Sequence, residues 1–498
     1  MTSLPHRLPG RPAPDPACGS RASAPRGLAL ARAIATALAF ASAGVGAQVI
    51  DLAQAWRDAL ANDAPVASAR AQLAATREKI PQAQAALGPT VTGTGAFSRQ
   101  MVDTNLAPRR DFTTQNYSIA LNYPLYRLPN VEALEQSRLQ VAIAEAQLAQ
   151  ARQDLAVRVS QAYFDVLAAQ DSVSTIRAQK RAITEQLASA KRNFEVGTAT
   201  ITDQQEAQSR FDLAVAQEVV ALNDLAVRRA ALAQLTGKPF SGLKVLRRDV
   251  TLAPPQPAIE SQWTDNARQS NLLVQQARIA VEVARREIDR QRFASRPTLD
   301  AVSSVGYASN ATAALVGIKS QSAALGLQLS IPLYTGGGID ARVREAAVLR
   351  DKAESDLENV RRQVEQGARQ AFLGVRSGLA QVSALQAAEK SSQLALESNL
   401  LGYQVGVRIN IDVLNAQQQV FNTQRDLARA RYDVLLNGLR LKLTNAALGE
   451  ADLEALSALT QIPDTDPTEP PPEAARRAPV PAGSAPQIQP VAPRPTGR

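Results

Sequence analysis

Two acids stand 209 residues apart in the same local setting: Asp203 in "NFEVGTATITDQQEAQSR" and Asp412 in "GYQVGVRINIDVLNAQQQ". In each stretch an aromatic (Phe194 or Tyr403) comes two residues before a Val-Gly step, and the acid follows at the same offset. An acid just past a helix break also suits the positive end of the next helix, so a bland capping role is open to both. Nucleophilic or metal chemistry has little to stand on. His6 and Cys18 are the only His and the only Cys. Both fall within residues 1–47, which read as an export signal: Arg26 and Arg32, then "AIATALAFASAG", then "VGA" before Gln48. Cleavage after Ala47 leaves a chain without thiol or imidazole, lacking most nucleophile–base pairs and the usual transition-metal ligands. Carboxylates occur along every helix but in no pocket motif, and read as surface charge. The expectation is no enzyme, no catalytic residue, no metal and no cofactor.

The bulk of the chain fits that reading. Aromatics make up only 4% of 498 residues, while Ala and Gln are plentiful, which suits long slim helical bundles better than a thick core. Removing residues 1–47 takes out five Arg and one Asp, so the formal charge falls from +9 to +5. The remaining positive charge is interspersed with carboxylates and reads as solvated helix faces, not a nucleic-acid patch. Cys18 precedes the apolar run, so no lipid anchor is expected. No other stretch has the 18 or more apolar residues of a membrane-spanning helix.

The chain repeats itself. "NYPLYRLPNVEA" at 122 answers "SIPLYTGGGIDA" at 330, "LGPTV" at 87 answers "SRPTL" at 295, and "DAPVASARAQLAATREKI" at 63 answers "NLLVQQARIAVEVARREI" at 271. Ordered matches at one offset imply a duplication, with repeats at 48–250 and 251–459. The seam "KPFSGLKVLRRDVTLAPPQPA" reads as an irregular connector. Residues 460–498 hold eleven Pro and read as a disordered tail. Each repeat has a helix of about 35 residues (51–86; 259–294), two strands, a very long helix (130–194; 339–401), the glycine break and another helix (201–236; 410–448). Leu155, Val159, Ala162, Val166, Ala169, Val173 and Ile176 form a heptad seam. At 1.5 Å per residue such a helix is on the order of 100 Å long.

The strands identify the solvent. Tyr117, Ile119, Leu121, Tyr123 and Leu125 alternate with Asn116, Ser118, Ala120, Asn122 and Pro124, and Leu325, Leu327, Leu329, Ile331 and Leu333 alternate likewise with small or polar residues. Their pairing strands (90–103; 298–309) alternate less cleanly, and "NLAPRRDF" reads as the loop of the first hairpin. Period two over about ten residues is the pattern of an outer-membrane strand. Backbone in lipid must have every hydrogen bond made, so such a sheet must close. Four strands cannot close and known barrels begin at eight, so the chain must oligomerise, as two copies or three.

Duplicated halves, "PLY" ahead of each long helix, and the paired "F-x-V-G" and "Y-x-V-G" breaks with their acids resemble the TolC family of outer-membrane exit ducts, across residues 51–460. The resemblance implies a homotrimer whose twelve-stranded barrel, four strands per chain, continues as a long α-helical periplasmic tunnel. It implies that the breaks are the tunnel's closed inner end. It also implies latches from Thr202 and Asp203 after the first break and Tyr403 and Arg408 around the second. A phenol can donate to a carboxylate, and a guanidinium can bond a hydroxyl or carbonyl oxygen. The family carries two pore acids three positions apart. The first matches Asp412, but the second falls at Asn415, which implies a less negative constriction that traps multivalent cations less well.

Three classes compete. An enzyme lacks its residues. An exported coiled-coil adhesin anchored in the outer membrane explains the heptads but not the paired breaks. A passive duct explains both. The family's partners would be a periplasmic adaptor and an inner-membrane transporter, ABC-type or proton-driven, serving either drug efflux or type I secretion.

Overall fold

The computed structural model describes residues 49–104, 107–247, 250–309 and 318–462. The expected export signal (1–47) and nearly all of the expected tail (463–498) lie outside them. The element order repeats. Helices α1 (Leu52–Asn62), α2 (Ala64–Arg77) and α3 (Lys79–Ala85) lead into strands β2 (Thr90–Thr104) and β3 (Ala107–Tyr126), then α4 (Leu128–Glu195) and α5 (Ile201–Thr236). Helices α6 (Glu260–Ser270) and α7 (Leu272–Phe293) lead into β6 (Thr298–Ser309) and β7 (Lys319–Ser330), then α8 (Gly338–Gln404) and α9 (Asn410–Thr444).

The expected 35-residue lead helices are broken, and at matching places. Asp63 adopts an extended conformation (φ −68°, ψ 118°) ahead of Pro65, which has no N–H to continue a ladder. Its counterpart Asn271 accepts from the Leu273 N–H at 2.8 Å and starts α7 afresh. Asn271 restarts its helix through its own side chain, whereas the Asp63 carboxylate caps nothing and instead pairs with Arg158 at 2.7 Å, leaving Pro65 to mark the new start.

Strands β2, β3, β6 and β7 form one antiparallel sheet in that order. Between register shifts at 102/104 and 124/126, the pairing puts the odd-numbered residues of all four strands on one face: Val91 lies beside Leu121, Ile119 beside Val305, and Ala301 beside Leu327. That face is apolar and exposed, with Leu325 and Leu327 open over 86% and 69% of their surface. The opposite face carries Thr94 and Ser118, whose hydroxyls meet at 2.7 Å, and Ser98 and Thr114 at 2.6 Å. Tyr117 stacks on Tyr307 at 6.4 Å where the apolar band ends. Beyond it the same face mixes Phe97 and Met101 with polar groups, among them Arg99 and Asp111, 3.6 Å apart. The "NLAPRRDF" segment is therefore not a loop: Asp111 and Phe112 pair with Met101 and Gln100, and only 105–106 lie between the described strands. Past the apolar band a strand faces water and can be polar, which hid it from the alternation pattern. Among the described residues, β2 and β7 are each paired on one side only.

The sheet is tied to the helices where β3 hands over to α4. Arg127 makes a bidentate pair with the buried Asp300 of β6, at 2.9 and 2.7 Å. From there α4 runs 68 residues, about 100 Å at 1.5 Å per residue. Its heptad residues are buried, apart from a half-buried Ala162, and pack against α1, α2, α5 and α9. Halfway along, the fully buried Tyr163 donates to the Lys244 carbonyl at 2.7 Å. This is where the seam departs from an irregular connector. Gly242–Leu243 (β4) pairs in parallel with Val49–Ile50 (β1), and Val245–Leu246 (β5) pairs with Thr460–Gln461 (β8). The first two residues assigned to the tail are thus strand. A last helix, α10 (Glu450–Ser457), docks on α1 through Arg57, which bonds Glu450 and Glu454 at 2.7 and 2.5 Å. No helix among the described residues is long and apolar enough to cross a membrane.

Candidate functional site

The two glycine breaks stop their helices identically. After α4, Gly197 takes φ +78°, and the N–H groups of Thr198 and Ala199 both reach the Asn193 carbonyl at 2.8 and 3.1 Å. After α8, Gly406 takes φ +80°, and the N–H groups of Val407 and Arg408 reach the Gly402 carbonyl at 2.9 and 3.1 Å. A side chain in this left-handed conformation costs about 1–2 kcal/mol, so glycine is the residue that lets each hairpin turn.

The restarts differ. At the first, Thr200 is the N-cap: its Oγ1 accepts from the Asp203 N–H at 3.2 Å, while Asp203 Oδ2 accepts from the Thr200 N–H at 3.0 Å and its hydroxyl at 2.7 Å. This reciprocal capping box holds the Asp203 carboxylate within its own turn. At the second, the equivalent of Thr200 is Ile409, which has no side-chain acceptor. Asp412 is left half-buried with Arg408 Nη1 at 3.6 Å. Gly402 makes that approach possible. It is buried under the Arg408 stem, and a Cβ there would sit 2.7 Å from Arg408 Cγ.

Of the residues expected from the sequence, the fold therefore brings Arg408 and Asp412 together. Thr202 is exposed on the first turn of α5 and makes no side-chain hydrogen bond among the described residues. Within one chain, Thr202 and Asp203 do not bond Tyr403 or Arg408. The two hairpins are joined by other groups. Asn193 Nδ2 donates to the Tyr403 hydroxyl at 3.3 Å. Asn410, only 1% exposed, accepts from Gln186 Nε2 and donates to the Asp203 carbonyl at 3.3 Å. Arg210 donates to Gln418 Oε1 at 2.7 Å and to Asn415 Oδ1 at 3.1 Å. Leu414 packs with Ile183 and Ala214 between these links. Asn193, Gln186, Asn410 and Arg210 escaped the sequence pattern because their partners lie 205 to 224 residues away.

Helical hairpins that break twice in the same way, joined to a sheet with one apolar face and two edges unpaired among the described residues, are the architecture of an outer-membrane exit duct. The chain belongs to the outer membrane efflux protein family, whose profile matches residues 55–238 and 263–447. It is 32% identical over 428 residues to the outer membrane protein TolC of Vibrio cholerae, covering 85% of this chain and 97% of that one. It is 33% identical over 356 residues to the alkaline protease secretion protein AprF of Pseudomonas aeruginosa, covering 70% and 73%. Its fold matches CusC with a TM-score of 0.71 at 18% identity (81% and 94% covered) and VceC of Vibrio cholerae with 0.69 at 17% (80% and 96%). The chain is accordingly an outer-membrane protein, and the adhesin reading is not favoured.

Proposed function

We propose that three copies of this chain close their sheets into a twelve-stranded barrel, and that the helical hairpins form a gated tunnel below it. The trimer is the exit duct of a tripartite efflux pump or a type I secretion system. It passes substrate from an inner-membrane transporter, through a periplasmic adaptor, to the outside without a cofactor or chemistry of its own. One observation carries this reading: a four-stranded sheet, apolar on one face, with β2 and β7 each lacking a neighbour among the described residues. From Tyr117 to Leu125 the apolar band is eight residues of rise, about 27 Å along the strand and roughly 20 Å in height at the ~40° tilt of barrel strands, near the ~25 Å apolar belt of an outer-membrane barrel. Open edges at that depth would leave N–H and C=O groups unpaired in lipid, so β7 of one chain must meet β2 of the next.

At the other end, Tyr403 and Arg408 act as latches against Thr202 and Asp203 of a neighbouring chain, holding the tunnel shut until a partner's differential binding opens it. Asp412 supplies a ring of three carboxylates, with Asn415 one turn deeper. Purified protein lacking residues 1–47 should migrate as a trimer and conduct in planar bilayers. A soluble monomer without conductance would end this reading.

A further inference from the structure

An acid expected from the resemblance is replaced by Asn415, which alone would leave a neutral ring one turn beyond Asp412. The structure gives Asn415 a different occupation. Arg210 lies seven residues beyond Asp203 on α5, and its guanidinium crosses to α9. One nitrogen bonds Gln418 at 2.7 Å and the other bonds Asn415 at 3.1 Å. Asn415 and Gln418 are three residues apart and share a helix face, so one planar fork reaches both. Arg210 itself is half-buried in the seam between the hairpins. The Asn415 and Gln418 amides supply neutral acceptors, and the guanidinium puts a fixed positive charge where the family's pattern puts a negative one.

We propose that Arg210 is a third closure element. It clasps the first hairpin of each chain to the second through Asn415 and Gln418, and its charge cancels that of any acid placed at 415. The proposal rests on the duct reading. It differs from the latch, which acts around Tyr403 and Arg408 nearer the turns. Opening that moves one hairpin against the other must break both bonds in all three chains.

Single-channel recording of the purified trimer, with hexaamminecobalt(III) added from the periplasmic side, tests this. Arg210→Gln loses a charged donor to two acceptors and should raise the open-to-closed ratio about tenfold or more. Arg210→Lys, a point charge that cannot fork, should fall between Arg210→Gln and the parent. Asn415→Asp should tighten closure and leave cation block unchanged, because Arg210 neutralises the new carboxylate. Asn415→Asp combined with Arg210→Gln should gain cation block. Native electrophoresis checks that each variant remains trimeric.

If Arg210→Gln keeps the parent's closed state while Tyr403→Phe with Arg408→Ser raises conductance, the clasp is wrong and the duct stands. If Asn415→Asp alone gains block, the charge cancellation is wrong. If no protein conducts, the duct reading falls and the clasp with it.

Discussion

Replacing Tyr403 with Phe removes one oxygen and preserves the ring. That oxygen accepts from Asn193 Nδ2 at 3.3 Å, a bond between the last turn of α8 and the last turn of α4. A neutral bond contributes about 0.5–1.5 kcal/mol net, and this one is long and only part-buried, so its share is about 0.7 kcal/mol. Three such bonds in a trimer that opens in one step sum to about 2 kcal/mol, roughly a 30-fold rise in the open-to-closed ratio. Single-channel open probability in a planar bilayer measures this directly. Asn193→Ala removes the donor and should give a similar rise, and the double variant should add little to either, because both changes break one bond. A fully additive cycle would refute the pairing. A Tyr403→Phe trimer as closed as its parent would refute the role of the phenol in holding the gate.

The remaining predictions separate structure from gating. Thr200→Ala should lower the thermal midpoint by an amount equivalent to about 1 kcal/mol per chain, the usual cost of losing an N-cap, without raising conductance. A rise in conductance would mean that the capping box is part of the gate. Leu327→Arg faces the apolar side at mid-band and should cost about 2–4 kcal/mol in membrane insertion, whereas Ala324→Arg on the opposite face should assemble. Equal loss in heat-modifiable trimer would overturn the assignment of faces. Burial alone would raise the Glu218 carboxyl, but the Lys180 ammonium and Arg177 guanidinium outweigh it and hold the group below its usual range. Its folded pKa being depressed, Glu218 stabilises fully above the ordinary value of 4.5 and loses that contribution as pH falls through the folded value. Melting midpoints taken from pH 7 to pH 3 should therefore drop less steeply in Glu218→Gln than in the parent, and parallel curves would contradict the pairing.

What could be read from residues alone was what repeats at short range. The apolar-polar alternation of 117–125 survives in the sheet because lipid selects one face. The heptads of α4 survive because a partner helix selects one stripe. Gly197 and Gly406 announced the turns, since their left-handed φ is a local demand. The lead helices break at Asp63 and Asn271 for different reasons: Pro65 has no N–H to continue the first, and the Asn271 side chain caps the restart of the second. Links between the hairpins were illegible for a different reason. Asn193, Asn410 and Arg210 look like ordinary polar helix residues until α4, α5 and α9 are packed side by side.

The duplication itself carries a lesson. Two equal stops are followed by unequal starts, because Thr200 can cap and Ile409 cannot. The same acid is engaged in a capping box in one half, and in the other it stands free to face Arg408 and the proposed pore.

An incomplete four-stranded sheet and two broken helical hairpins should become a gated duct only on association. Conductance of the purified protein without residues 1–47 in a planar bilayer tests it most directly. Trimers should insert and conduct in small steps, with Tyr403→Phe and Arg408→Ser together raising the conductance. A monodisperse soluble monomer that leaves the bilayer silent would contradict it.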